Sequence, residues 1–92
     1  MRNSENFLVK GAKLFDLPVD AIAGLPKIEI CGNTQVTIEN HKGILEYNET
    51  LLSLNLGSHI LNISGCNLNI TAMNDQGLRL SGTISSVSYE SV

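Results

Sequence analysis

Leu61-Asn62-Ile63-Ser64-Gly65-Cys66-Asn67-Leu68-Asn69-Ile70 and, soon after, Leu78-Arg79-Leu80-Ser81-Gly82-Thr83-Ile84 decide how this chain folds. In both stretches apolar and polar side chains alternate, a Ser-Gly pair interrupts, and the alternation resumes. Successive side chains of a strand point to opposite faces, so period two marks a strand with one dry face and one wet face. The glycine supplies the positive φ that a tight turn or a bulge demands. Each stretch therefore reads as a strand–turn–strand unit.

The same unit extends towards the N-terminus. Apolar pairs Ile28/Ile30, Leu45/Tyr47, Leu61/Ile63 and Leu78/Leu80 recur every 16–17 residues, each followed by a small or polar dipeptide. Those dipeptides are Cys31-Gly32, Asn48-Glu49, Ser64-Gly65 and Ser81-Gly82. Further alternating positions fall at Val36 and Ile38, at Leu52, Leu54 and Leu56, at Leu68, Ile70 and Ala72, and at Val87 and Tyr89. No proline follows Pro26, which suits a chain whose N–H groups are committed to ladders. The expected class is mainly β: an antiparallel meander of repeated 16–17-residue units forming a small sandwich or a partly closed barrel. A short β-solenoid is the alternative, although four coils without an obvious cap make a thin one.

The first 26 residues differ. They hold both phenylalanines, both prolines and three of the six basic residues, Arg2, Lys10 and Lys13. Phe7, Leu8, Gly11, Leu14 and Phe15 form a helical stripe, Asp16-Leu17-Pro18 breaks it and opens a second short helix, and Gly24 and Pro26 stop that one. The domain plan is thus a helical cap or tail over 1–26 and a β domain over 27–92, in one folding unit. A cap over the β core is a better reading of the stripe than a membrane-surface helix, because three cations hold an anionic surface weakly.

Ninety-two residues make one domain. The hydrophobic share is 42%, with Leu, Ile and Val predominant and no Trp. A core built from such modest side chains, each worth roughly 1.5–3 kcal/mol when buried, leaves little margin over the conformational entropy of folding. A chain with that margin is a candidate for self-association or for a partner. The net charge of -3 and the scarcity of aromatics argue against nucleic acid. The start of the chain lacks a signal-like apolar run, and no stretch reaches bilayer length, so the cytoplasm is the expected compartment.

No constellation of residues announces catalysis, a cofactor or a metal. Glu39 and His41 lie on one side of an extended chain and form the best acid–base or metal pair on offer. A hairpin turn through Glu39, Asn40, His41, Lys42 and Gly43 is the simpler account, with His41 in solvent and the segment exposed for contacts. His59 starts another strand without ligand-like neighbours. Cys31 and Cys66 each flank a turn glycine and are 35 residues apart, far from a zinc-site spacing; two small, half-buried thiols are expected, and stacking in neighbouring repeats is left open. Three Asn-x-Ser/Thr sequons, at Asn48, Asn62 and Asn69, fit the wet positions of strands better than glycosylation without a secretory signal. Asn62, Asn67, Asn69 and Thr71 would line a polar sheet face able to contact a small ligand, a glycan or a protein.

Leu14-Phe15-Asp16-Leu17-Pro18, Gly24-Leu25-Pro26-Lys27-Ile28, Ile38-Glu39-Asn40-His41-Lys42-Gly43-Ile44-Leu45 and the two stretches quoted first occur in this order. Together they resemble the YabP/YqfC family of sporulation proteins, and its YqfC branch most. The likeness runs from about residue 14 to 90, with Glu-Asn-His-Lys-Gly its most specific phrase. It implies a protein without catalytic activity or cofactor, made in the mother cell of a spore-forming bacterium and tied to cortex or coat maturation. It also implies protein partners from the same programme, a membrane protein among the candidates, and with one a location at the membrane periphery. A structural or adaptor module, with homo-oligomerisation open, is the leading expectation, and a ligand- or glycan-binding module is the alternative.

Overall fold

The structure, a computed structural model, describes residues 24–92. The expected N-terminal helices, with Arg2, Lys10 and Lys13, lie outside the described residues. From there on the chain is all strand: β1 Lys27–Cys31, β2 Gln35–Glu39, β3 Gly43–Tyr47, β4 Leu51–Asn55, β5 His59–Met73 and β6 Gly77–Ser91. They form one antiparallel sheet in the order β1-β2-β6-β5-β4-β3. The 16–17-residue unit is visible in the strand bounds. In the first two units the middle is a turn, giving the hairpins β1–β2 and β3–β4. In the last two it is a bend within one 15-residue strand.

The long β5–β6 hairpin carries one short hairpin on each flank, at opposite ends. β2 pairs with the start of β6, Gly77 to Ser81, and β4 with the start of β5, Ile60 to Ser64. Between these regions the register shifts at Ser64/Gly65, Cys66/Asn69 and Ile70/Ala72. Bulges of this kind bend a strand and let it pass from one sheet layer to another.

The link between β2 and β3 shows how far the bend goes. Glu39 pairs with Gly77, while Gly43 is joined through Asn55 and Ile60 to Glu90. Gly77 and Glu90 would stand roughly 43 Å apart along a straight strand. Four Cα steps from Glu39 to Gly43 reach about 15 Å at most. The hairpin is therefore folded back on itself, and the sheet becomes a two-layer sandwich. Its first layer is β1, β2, the start of β6 and the end of β5; its second is β3, β4, the start of β5 and the end of β6.

Pairing aligns apolar side chains into four cross-strand rows. The first layer carries Ile28–Ile38–Leu78–Met73 and Ile30–Val36–Leu80–Ile70. The second carries Ile44–Leu54–Leu61–Tyr89 and Tyr47–Leu52–Ile63–Val87. The central two members of every row are at most 3% exposed, and they join Leu56, Leu68 and Ile84 in a single buried cluster. Among the described residues, seven large side chains are wholly enclosed, Val36, Ile38, Leu52, Leu54, Leu61, Ile63 and Leu80, each contributing roughly 1.5–3 kcal/mol.

Three expectations change. Strictly antiparallel pairing rules out the solenoid, whose coils stack in parallel, and β1 and β3 end the sheet without meeting, so no barrel closes. The meander covers β3 to β6 only, since β1–β2 joins at β6. Finally, bulges reset the alternation. The register shift at Ile44/Glu46 turns Ile44 rather than Leu45 into the inner row beside Tyr47, and the shift at Ile70/Ala72 puts Ala72 opposite Arg79 on the outer face and Met73 opposite Leu78 on the inner one.

Candidate functional site

Glu39-Asn40-His41-Lys42-Gly43 is not a hairpin turn, because β2 and β3 do not pair. It is the strap between the two layers. Asn40, at φ 63°, donates its N–H to the Gln76 carbonyl of the first layer (2.6 Å), and its side-chain Nδ2 donates to the Leu25 carbonyl (3.0 Å). Two residues later Lys42 N–H donates to the Asn55 carbonyl of the second layer (2.6 Å). His41 is half-buried rather than in free solvent, and its Nδ1 accepts the Gly43 N–H at 3.1 Å. That contact places the neutral ring's proton on Nε2. Glu39 is exposed on the outer side of the first layer, in an open groove of about 230 Å³ with Thr37, Met73, Gln76 and Arg79. No three His, Cys, Asp or Glu residues gather into a metal-sized group among the described residues.

The four polar residues Asn62, Asn67, Asn69 and Thr71 do not share one face. Asn62 lies on the outer face of the second layer, opposite Ser53 and Ser88. There Ser53, 7% exposed, donates its hydroxyl to Asn62 Oδ1 (2.5 Å), and Asn62 Nδ2 donates to Glu90 Oε1 (2.8 Å). Asn67, at φ 56°, sits in the bend. Asn69 pairs with Ser81 in the first layer, and Thr71 bulges beside it, within 3.4 Å of the Arg79 carbonyl and the Ser81 hydroxyl.

Sequence reasoning missed the locks at the bend, which are symmetric. Asn33 and Thr34, in the β1–β2 turn, accept the N–H groups of Ile84 and Gly82 with their carbonyls. Glu49 and Thr50, in the β3–β4 turn, do the same for Leu68 and Gly65. Each short hairpin thus holds its own flank of the bend. Tyr47 adds a cross-layer tie: its hydroxyl accepts the Ile70 N–H at 2.8 Å and lies 3.4 Å from Asn69 Oδ1. Tyr47 and Asn69, together with Asn48, Glu49, Asn67 and Leu68, line a shallow groove of about 420 Å³. The 16–17-residue spacing was the available signal, since it aligns the two short turns with the two bends.

The cysteines are both free and exposed, not half-buried. Cys31 ends β1 opposite Gln35 and Cys66 lies in the bend opposite Thr83, so they do not stack. His59 is exposed, with its ring edge-on to Tyr89 at 6.2 Å. What stands out on the surface is apolar and lies at the strand edges. Ile30, Ile44, Leu45, Tyr47, Met73 and Tyr89, the outer ends of the rows and the bulged Leu45, are each 39–63% exposed.

These features define a small, folded-over antiparallel sandwich whose distinctive parts are a bent central hairpin, an interlayer strap and apolar sheet edges. The model of the YabP family matches residues 24–92, which is the whole described sandwich. The chain is also 35% identical over 77 residues to the uncharacterized protein YqfC of Bacillus subtilis (strain 168), covering 84% of this chain and 83% of that one. It belongs to the YabP family. No solved structure matches it.

Proposed function

We propose that this protein is a non-enzymatic adaptor of spore formation that acts through protein contacts during cortex or coat maturation. The observation that carries the reading is the run-out of all four apolar rows to exposed strand edges. Residues such as Ile30, Leu45 and Tyr89 are half or more exposed at those edges. Exposed apolar surface next to unpaired backbone is where a further chain can dock. Membership of the YabP family supports the spore-forming context. No helix among the described residues is long and apolar enough to cross a membrane. In this reading the protein works in the mother cell, held at a membrane through a partner. The alternative of a ligand or glycan site loses its motivation, because Asn62, Asn67, Asn69 and Thr71 are divided between two layers and the bend.

The test is replacement of the gene, in the cell that makes the protein, by Ile30→Lys/Leu45→Lys and separately by Glu39→Gln. The edge variant is expected to accumulate as a folded protein yet reproduce the maturation defect of a deletion. Glu39→Gln, which would cripple an acid–base pair, is expected to give normal spores. Normal spores from the edge variant, or a defect from Glu39→Gln in a protein of unchanged stability, would overturn the reading.

A further inference from the structure

The two layers of the sandwich expose four strand edges, and they are not equivalent. The edge of β3 is broken by the bulge at Leu45. The outer edge of β5 is bulged between Ile70 and Ala72 and plugged by the Tyr47 hydroxyl on the Ile70 N–H. β1 is flat, but pairing it with its own copy over its full length sets Glu29 against Glu29. Sliding that register one step towards the N-terminus brings Pro26, which has no N–H, into the ladder, and sliding it the other way runs into the Cys31-Gly32 turn.

Beyond the bulged Ser85, where the register moves from Gly65–Ile84 to Ser64–Ser86, the end of β6 carries none of these devices. Beyond Ile84, whose N–H is taken by Asn33, no described strand pairs with its outer side. Its pairing with β5 runs without a shift from Ser86 to Ser91. The segment Ser86-Val87-Ser88-Tyr89-Glu90-Ser91 contains no Pro or Lys and only one charge. Val87 is half-buried at the end of one apolar row, and Tyr89, ending another, is 63% exposed.

We propose that this edge is the self-association site of the protein, where β6 of one copy pairs antiparallel with β6 of a second copy about a two-fold axis at Ser88. The sequence is self-complementary in that register. Ser88 faces Ser88, Val87 faces Tyr89 and Ser86 faces Glu90, so no like charges meet. The two-fold keeps each inner face on its own side, so the row Leu52–Ile63–Val87 continues into Tyr89–Leu61–Leu54 of the second copy. Aromatic against β-branched is a favoured cross-strand pair. The joined second layers make one eight-stranded sheet, and the exposed Tyr89 ring gains a neighbour. This assignment rests on the edge geometry and does not depend on the role in sporulation.

The full chain is examined by light scattering and sedimentation from roughly 1 µM to 1 mM, the range in which small interfaces associate. The expected result is a shift from 9.9 kDa to twice that mass. Ser88→Lys, which sets two cations face to face on an exposed position, is expected to abolish the shift without changing the circular dichroism spectrum. Register is read by cross-linking in a Cys31→Ser/Cys66→Ser background. Opposed residues of an antiparallel pair lie about 4.5–5.5 Å apart at Cα, within disulfide range, so Ser88→Cys is expected to form an intermolecular disulfide. Ser86→Cys, roughly 14 Å from its own copy, does not. A monomer at every concentration overturns the proposal. So does a dimer that Ser88→Lys leaves intact, or cross-linking as efficient at 86 as at 88; should Ser88→Lys fail to fold, the cross-linking pair decides alone.

Discussion

At the scale of single residues, Gly65 and Gly82 carry the bend. Gly65 is not in an unusual φ region; what it provides is room. A Cβ there would land on the Thr83 carbonyl oxygen, well inside van der Waals contact. Gly82 has both demands, a φ of +140° and an Asn67 carbonyl oxygen 2.6 Å from where a Cβ would be. In each case the obstacle is backbone of the facing strand, which cannot step aside without breaking the hydrogen bonds made by the short turns. Gly65→Ala and Gly82→Ala are therefore expected to lower stability by about 2–4 kcal/mol each, a large share of what so small a domain has. Ser86→Ala, exposed on the same hairpin, should stay within about 0.5 kcal/mol. Urea titration of the three variants checks the order, and a glycine variant as stable as Ser86→Ala would mean that the bend is softer than its geometry implies.

Elements differ in how plainly the sequence announces them. Strand content, the repeat and the inward-facing positions of β2, β4 and the start of β5 were legible, because unbroken alternation survives folding intact. Leu68 and Ile70 also face the core as alternation places them, but Leu45 in β3 and Ala72 in β5 do not, because an inserted residue inverts the side chains beyond it. Leu45 shows this. Alternation with Tyr47 assigns it inward, yet the bulge leaves it 55% exposed and gives its place to Ile44. Leu45→Ala is accordingly expected to change stability by less than about 1 kcal/mol, whereas Leu54→Ala, at a wholly buried position of the adjacent strand, costs about 2–5 kcal/mol. Equal losses at the two positions, measured by denaturant unfolding, would restore the alternating assignment of β3. The strap was legible as a polar, irregular stretch but not as a crossing between layers. A turn and a strap use the same residues, and only the pairing of Glu39 with Gly77 and of Gly43 with Asn55 tells them apart. The polar positions are divided by the bend: Asn62 lies on one side of it and Asn69 and Thr71 on the other, where parity along the chain no longer reports position in space.

For the whole molecule the question is whether two layers joined by a bend behave as one body. Neither layer has a core of its own. Each offers a single apolar face two rows deep, and the central members of those rows are buried only because the other face covers them. The ties across the layers are short in sequence but reach both: the strap bonds Gln76 on one side and Asn55 on the other, and the Tyr47 hydroxyl reaches Ile70. Separation of the layers would expose all eight central side chains at once, at roughly 1.5–3 kcal/mol apiece. That is comparable with the entire stability of a domain of this size, so no partly open state with one intact layer should accumulate. Amide exchange can read this directly. Leu80→Ala removes packing from the first layer and Leu61→Ala from the second, each at a cost of about 2–5 kcal/mol. In both variants the slowest amides of β2 and of β4 are expected to accelerate by the same factor, because each opens only when the whole sandwich does. If Leu80→Ala speeds exchange in β2 while leaving β4 protected, the layers unfold separately, and the long hairpin is a hinge between two units rather than the spine of one.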